Sequence, residues 1–184
     1  MNRTLAAERW HPDARVIESP NFDRRPGGAS VELVVIHAIS LPPGDFGGRY
    51  VEDFFTNALD CTAHPYFSEL AGVRVSAHFF IDRQGSLVQF VPTDERAWHA
   101  GQSRWCEREA CNDFSVGIEL EGDDDTPFAD AQYRSLETLL DYLRARYPGI
   151  GAGNVVGHCH IAPDRKTDPG PHFDWRRVGV EPPT

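Results

Sequence analysis

The sequence predicts an α/β fold, a single domain with a mixed central β-sheet flanked by helices. Three observations carry that expectation. Leu33-Val34-Val35-Ile36 is an unbroken apolar run, the pattern of a strand covered on both faces. Val75 to Ile81 and Ser86 to Val91 are strand-like runs joined by Asp82-Arg83-Gln84-Gly85, a short turn in which glycine can take a positive φ. Tyr133, Leu136, Leu139, Leu140, Leu143 and Tyr147 recur at three- and four-residue steps, the stripe of a surface helix.

Taken in order, residues 1–30 are polar and contain proline, and read as an extended lead-in. The strand at 33–36 is closed by His37. Residues 38–50 hold Pro42-Pro43-Gly44 and Gly47-Gly48 and form a loop. Tyr50 to Asn57 forms a short helix with Val51, Phe54 and Phe55 on one side, and 58–74 is irregular. After the hairpin, Trp98-His99-Ala100-Gly101 lies in a loop. Phe114 to Glu121 is a strand with Phe114, Val116, Ile118 and Leu120 on one face. Its other face carries Ser115, Gly117, Glu119 and Glu121, and borders a polar cavity or solvent. The helix runs from Asp130 to Tyr147, capped by Asp130 or Thr126 and stopped by Pro148-Gly149. It crosses over to a last short strand, Val155-Val156. Gly157 to Pro171 then reads GHCHIAPDRKTDPGP. Three prolines exclude a regular helix through this segment and leave a stiff, irregular loop that presents two His, two Asp and a Lys.

Composition narrows the function. The 184 residues suffice for one domain with a buried core, and 40% hydrophobic with 25% charged residues is globular. A formal net charge of −10 argues against nucleic acid or an anionic membrane as partner, since both require clustered Lys and Arg. No apolar run approaches the roughly 20 residues that span a bilayer. The N-terminal residues lack the apolar core of a signal peptide, so a cytoplasmic location is expected. Cys61, Cys106, Cys111 and Cys159 fit neither a paired zinc motif nor a disulfide framework, and read as free thiols.

His37 and His158 each sit just past a buried strand, where positions are fixed and can converge. With a loop carboxylate they would complete the three-ligand set of a catalytic zinc. Asp168, held before Pro169-Gly170-Pro171, is the leading third ligand and Asp164 its competitor. Glu119, on the polar face of its strand, is placed to carry a proton, and Lys166 to stabilise a developing oxyanion. Together these describe a metal-assisted hydrolase of an amide or ester. Spacing alone leaves His11, His64, His78, His99, His160 and His172 in competition for the metal.

Six segments occur in order: VVIHAISLPPGDFGG (34–48), AHPYF (63–67), RVSAHFFI (74–81), RAWHAGQS (96–103), CNDFSVGIELEG (111–122) and GHCHIAPDRKTDPGPHFDW (157–175). From Trp10 to Trp175 the chain resembles the zinc-dependent type 2 N-acetylmuramoyl-L-alanine amidases, and within them the cytoplasmic recycling members. The resemblance implies a mixed sheet flanked by helices and one catalytic Zn2+ ion on His37, His158 and Asp168. It implies Glu119, in preference to Glu121, as the catalytic acid–base, with Lys166 beside it. The implied reaction cleaves the amide between the lactyl group of 1,6-anhydro-N-acetylmuramic acid and L-alanine of the stem peptide. A soluble anhydro-muropeptide is then the substrate and the enzyme a monomer. Arg74 is expected to face the peptide carboxylates, and Trp98 and His99 to line the cleft. Ala38 and Ala110 stand where the best-known members carry Asn and Arg, which removes two polar groups. Two other readings belong with this one: a broader amidase of intact peptidoglycan, and a non-catalytic muropeptide-binding module.

Overall fold

Ten strands and three helices make up the computed structural model, which describes residues 9–181. In chain order they are β1 (Arg15–Val16), β2 (Phe22–Arg24), β3 (Leu33–Ile39), α1 (Tyr50–Phe55), β4 (Phe79–Ile81) and β5 (Leu87–Gln89). There follow β6 (Glu95–Ala97), β7 (Arg104–Trp105), β8 (Arg108–Glu109), β9 (Ser115–Glu121), α2 (Asp130–Arg146), β10 (Val155–Gly157) and α3 (His158–Ile161). The central sheet has the order β1-β5-β4-β9-β3-β10. Strands β4 and β5 are the antiparallel hairpin, and every other neighbouring pair is parallel. The sheet is therefore mixed, as expected.

The apolar runs explain the middle of the sheet. Leu33 to Ile36 are buried on both faces, and so is all of β9. Val34, Ile36, Val116 and Ile118 point to one side, where Leu136, Leu139, Leu140 and Leu143 of α2 cover them. Each such leucine contributes about 1.5–3 kcal/mol by leaving water. On the opposite face, Leu33, Val35 and Val156 pack with Phe114 and Ile161. Further along that face Phe80, Val88 and Phe90 pack with Phe54, Phe55 and Phe67. Between these two apolar clusters the face is polar, and it carries His37 and Glu119.

Several elements differ from the sequence reading. Part of the extended lead-in joins sheets: β1 adds an edge strand to β5, and β2 pairs antiparallel with β6. The first eight residues of that lead-in lie outside the described residues. Phe114 leaves the β9 alternation, because the strand starts at Ser115 and the Phe114 ring belongs to the other cluster, beneath the Arg108 guanidinium. Of the two alternatives for the polar face of β9, the cavity holds and solvent does not: Glu119 lines the cleft, and Glu121 is buried, accepting from the amides of Gly47 and Arg83 and so tying two loops to the strand. Helix α2 is capped neither by Asp130 nor by Thr126. Ala129 occupies the cap position, and Gln132 reaches back to accept from its amide at 2.9 Å while donating to Glu121 and Ile81 carbonyls. Finally, the 157–171 loop opens with one helical turn, α3, since no proline occurs before Pro163.

Candidate metal centre

Register brings the polar residues together. In the parallel ladder His37 of β3 stands opposite Glu119 of β9, and Gly157 of β10 stands opposite Ile36. His158, one residue beyond Gly157, therefore emerges beside His37. All three side chains leave the carboxyl-terminal ends of adjacent parallel strands, where open α/β sheets form their crevices. The 157–171 loop folds back across these ends. Its return is held by the amide of Cys159 donating to the Asp168 carbonyl at 2.9 Å. Gly157 permits the approach, because a Cβ there would come within 2.6 Å of the Pro169 ring.

Three ligand atoms converge. His37 Nδ1 lies 3.0 Å from His158 Nδ1 and 3.0 Å from Asp168 Oδ2, and His158 Nδ1 lies 3.1 Å from the same oxygen. Ligands around a tetrahedral zinc, bound at about 2.0–2.1 Å, stand about 3.3 Å apart. The triangle is therefore close to that size and leaves a fourth direction open to the cleft. Among the described residues this is the one His/Cys/Asp/Glu group with such convergence. Burial alone would raise the Asp168 carboxyl, but hydrogen bonds to His158 and His37 outweigh it and hold it below the usual carboxylate range. Burial lowers the His37 imidazole to about 4, against the pull of Asp168, so that ring is neutral and has a lone pair to give.

The rings are also oriented from behind. His158 Nε2 donates to the Ala100 carbonyl at 3.1 Å, which fixes the ring with Nδ1 facing the centre. His37 Nε2 lies 2.9 Å from His99 Nδ1, and His99 Nε2 lies 3.1 Å from Ser115 Oγ.

Glu119 completes the arrangement. Its Oε2 is the one buried side-chain oxygen or nitrogen without a hydrogen-bond partner among the described residues. An unmatched buried acceptor costs about 1–3 kcal/mol, and more when charged, so it marks a place made for something the chain does not itself provide. Burial pushes the Glu119 carboxyl well above its usual range, Asp168 adds to the shift, and Lys166 opposes it. Lys166 and Asp168 line the same cleft, of about 580 Å³, whose lining also includes Phe54, Tyr66, Leu70 and Val75. A triad of side chains that could hold a metal ion, a buried carboxyl whose pKa is raised and a lysine along one cleft suit hydrolysis of a polar bond.

Comparison with known proteins decides the family. Residues 27–171 match the family described as N-acetylmuramoyl-L-alanine amidase. The chain belongs to that family. It is an amidase and shares its fold. The amidase is 54% identical to the 1,6-anhydro-N-acetylmuramyl-L-alanine amidase AmpD of Citrobacter freundii, over 94% of this chain and 92% of that one. It superposes on a crystal structure of an AmpD selenomethionine derivative with a TM-score of 0.91 and 53% identity, covering 95% of this chain and 98% of that one. It also matches the Escherichia coli amidase AmiD, solved in complex with anhydro-N-acetylmuramic acid-L-Ala-D-γ-Glu-L-Lys. There the TM-score is 0.60 with 31% identity, over 85% of this chain and 61% of that one.

The amidase distributes the remaining candidates as follows. His11, His64 and His160 each accept a backbone amide at Nδ1, from Asp13, Tyr66 and Gly157, and so serve local turns. His78 accepts from the Gly117 amide and faces the Glu95 carbonyl. His172 and Asp164 are exposed, and Asp164 lines a different hollow. Arg74 is exposed and not part of the cleft lining, although Val73 and Val75 are. Trp98 is half-buried outside the lining, its backbone paired with Ser76. His99 lines the cleft, but both of its ring nitrogens are engaged by protein. Ala38 lines the cleft, whereas Ala110 lies in the separate hollow with Asp164. The sequence reading gave no role to Asn112, Ser115 or Gly117. A lone glycine inside a fully buried strand was the available signal, since such a glycine marks close approach of another group.

Proposed function

We propose that the chain hydrolyses the amide between the lactyl group of 1,6-anhydro-N-acetylmuramic acid and L-alanine of the stem peptide, with one zinc ion held by His37, His158 and Asp168. The observation that carries the reading is the buried, unpartnered Glu119 Oε2 beside a converged His-His-Asp triad. High identity to AmpD over nearly the full length supports the substrate. The donor set fits zinc, with two imidazoles, one carboxylate and an open side. Zinc bound there would polarise the scissile carbonyl and lower the pKa of a water toward neutrality.

The chain's own residues supply the proton path. Glu119, ionised, accepts the proton of the attacking water, then returns it to the alanine nitrogen as the C–N bond breaks. Burial and the charge of Asp168, which raise its pKa, favour the half in which it holds the proton. Lys166 offers positive charge to the carbonyl oxygen as negative charge develops there. Phe54, Tyr66, Leu70 and Val75 give the cleft an apolar part of its lining. Among the described residues no helix is long and apolar enough to cross a membrane. A cytoplasmic monomer acting on soluble fragments completes the proposal.

Exhaustive chelation is expected to abolish release of the stem peptide from anhydro-muropeptide, read by mass spectrometry, and stoichiometric zinc to restore it. Faster release from intact sacculi than from the soluble fragment would overturn the substrate assignment.

A further inference from the structure

The loop after β6 touches both histidine ligands from behind. His99 Nδ1 meets His37 Nε2 at 2.9 Å, and the next carbonyl, Ala100 O, meets His158 Nε2 at 3.1 Å. Two consecutive residues thus set both imidazoles. The carbonyl can only accept, so His158 must carry its proton on Nε2. If neutral His37 is to ligate through Nδ1, its Nε2 must donate. His99 then accepts at Nδ1 and donates from Nε2 to Ser115 Oγ, 3.1 Å away. One assignment of protons satisfies the whole chain.

The loop is itself held in place. Asn112 Oδ1 accepts from the amides of His99 at 3.2 Å and Ala100 at 2.8 Å. Arg165 donates to the Ala100 carbonyl at 2.9 Å and to Gln102 at 2.7 Å. The His99 ring lies against β9 where Gly117 has no side chain, and a Cβ there would come within 2.4 Å of the ring. The segments RAWHAGQS and CNDFSVGIELEG therefore form one unit.

We propose that His99 and Ala100 form an outer-sphere clamp that fixes the tautomer and aim of both histidine ligands, with Asn112 and Gly117 as its positioning residues. The sequence reading placed His99 against substrate; this assignment places it against a ligand. The inference rests on the metal-centre reading above and adds the residues that tune it. Partners of this kind are worth about 10–100-fold in metal affinity.

The test is zinc affinity by competition with a chromophoric chelator, for wild type, His99→Leu, His99→Asn and Asn112→Ala, with His37→Ala as control. His99→Leu is expected to bind zinc about 10–100-fold more weakly. His99→Asn is expected to recover most of the loss, because an amide oxygen can sit at the Nδ1 position and accept from His37. Asn112→Ala is expected to weaken binding too, and it carries the test if His99→Leu does not fold. Cobalt in place of zinc should show an altered visible spectrum in His99→Leu and a restored one in His99→Asn. Wild-type affinity in both His99→Leu and Asn112→Ala would overturn the clamp alone, as would a His99→Asn variant no better than His99→Leu. A wild-type protein that binds no zinc would overturn the metal centre and the clamp with it.

Discussion

Glu119 shows how much one residue depends on its surroundings. A strand carboxylate with a solvated face would be unremarkable, but here Oε2 is buried without a partner, and Asp168 repels its charge. The proposed proton path therefore makes a sharp demand. Glu119→Gln keeps the shape and removes the titrating group. It is expected to lower kcat by about 10²–10⁴, the usual worth of a general acid–base, while zinc stoichiometry stays at wild type. Full turnover by Glu119→Gln would refute the proton route. A second residue-level point concerns Glu121, two positions on. Both carboxylates were legible in the sequence on the same strand face, and the family resemblance favours Glu119; the structure supplies the physical difference between them. Glu121 spends its oxygens on the Gly47 and Arg83 amides, whereas Glu119 meets the cleft.

Among the elements, the β4–β5 hairpin and α2 illustrate a shared constraint. The sequence reading assigned Gly85 to the turn, and its φ is 82°. The structure adds a second reason for glycine: a Cβ would lie 2.7 Å from the Ala131 carbonyl and 2.9 Å from Ser135 Oγ. Ser135 Oγ donates to the Gly85 carbonyl at 2.6 Å, so hairpin and helix dock through this point. Gly85→Ala should therefore destabilise by more than about 1 kcal/mol, combining left-handed strain with the clash, as measured by urea denaturation. The zinc-ligand geometry should survive, because α2 packs on the face of the sheet opposite the site. The helix itself was readable from its leucine stripe. Its cap was not, because Gln132 acts through a long side chain that also bonds carbonyls distant in sequence.

For the molecule as a whole, the buried histidines couple stability to pH. Burial and the nearby Arg25 guanidinium lower His78 to about 3, with the Glu95 carbonyl opposing and His37 adding slightly. The unfolded side chain titrates near 6.5. Between these values the unfolded chain binds the extra proton, so stability is fully present above about 6.5 and is lost as pH falls toward 3. One such group contributes a slope of up to about 1.4 kcal/mol per pH unit. Urea denaturation in chelator between pH 5 and 6.5 should show that slope reduced in His78→Asn, although that variant is less stable overall. An unchanged slope would mean that His78 is not the acid-sensitive group.

By itself the sequence determined the mixed α/β class, the buried strand before His37, the amphipathic helix and the set of residues from which a site could be drawn. These are properties of local pattern: periodicity, β-branching and proline placement act within a few residues. Tertiary structure decided the rest. Spacing could not choose among eight histidines, and the family resemblance chose without saying why the others fail. The fold gives the reason. Parallel register sets His37 beside Glu119, and the Cys159–Asp168 link turns the stiff loop back on His158. The other histidines find amides, carbonyls or solvent. His99 ends with its ring on Gly117 and its nitrogen on His37, a contact between residues 62 positions apart. A hydrogen bond across that separation leaves no periodic trace in the chain, because it exists only once strands far apart in sequence are paired.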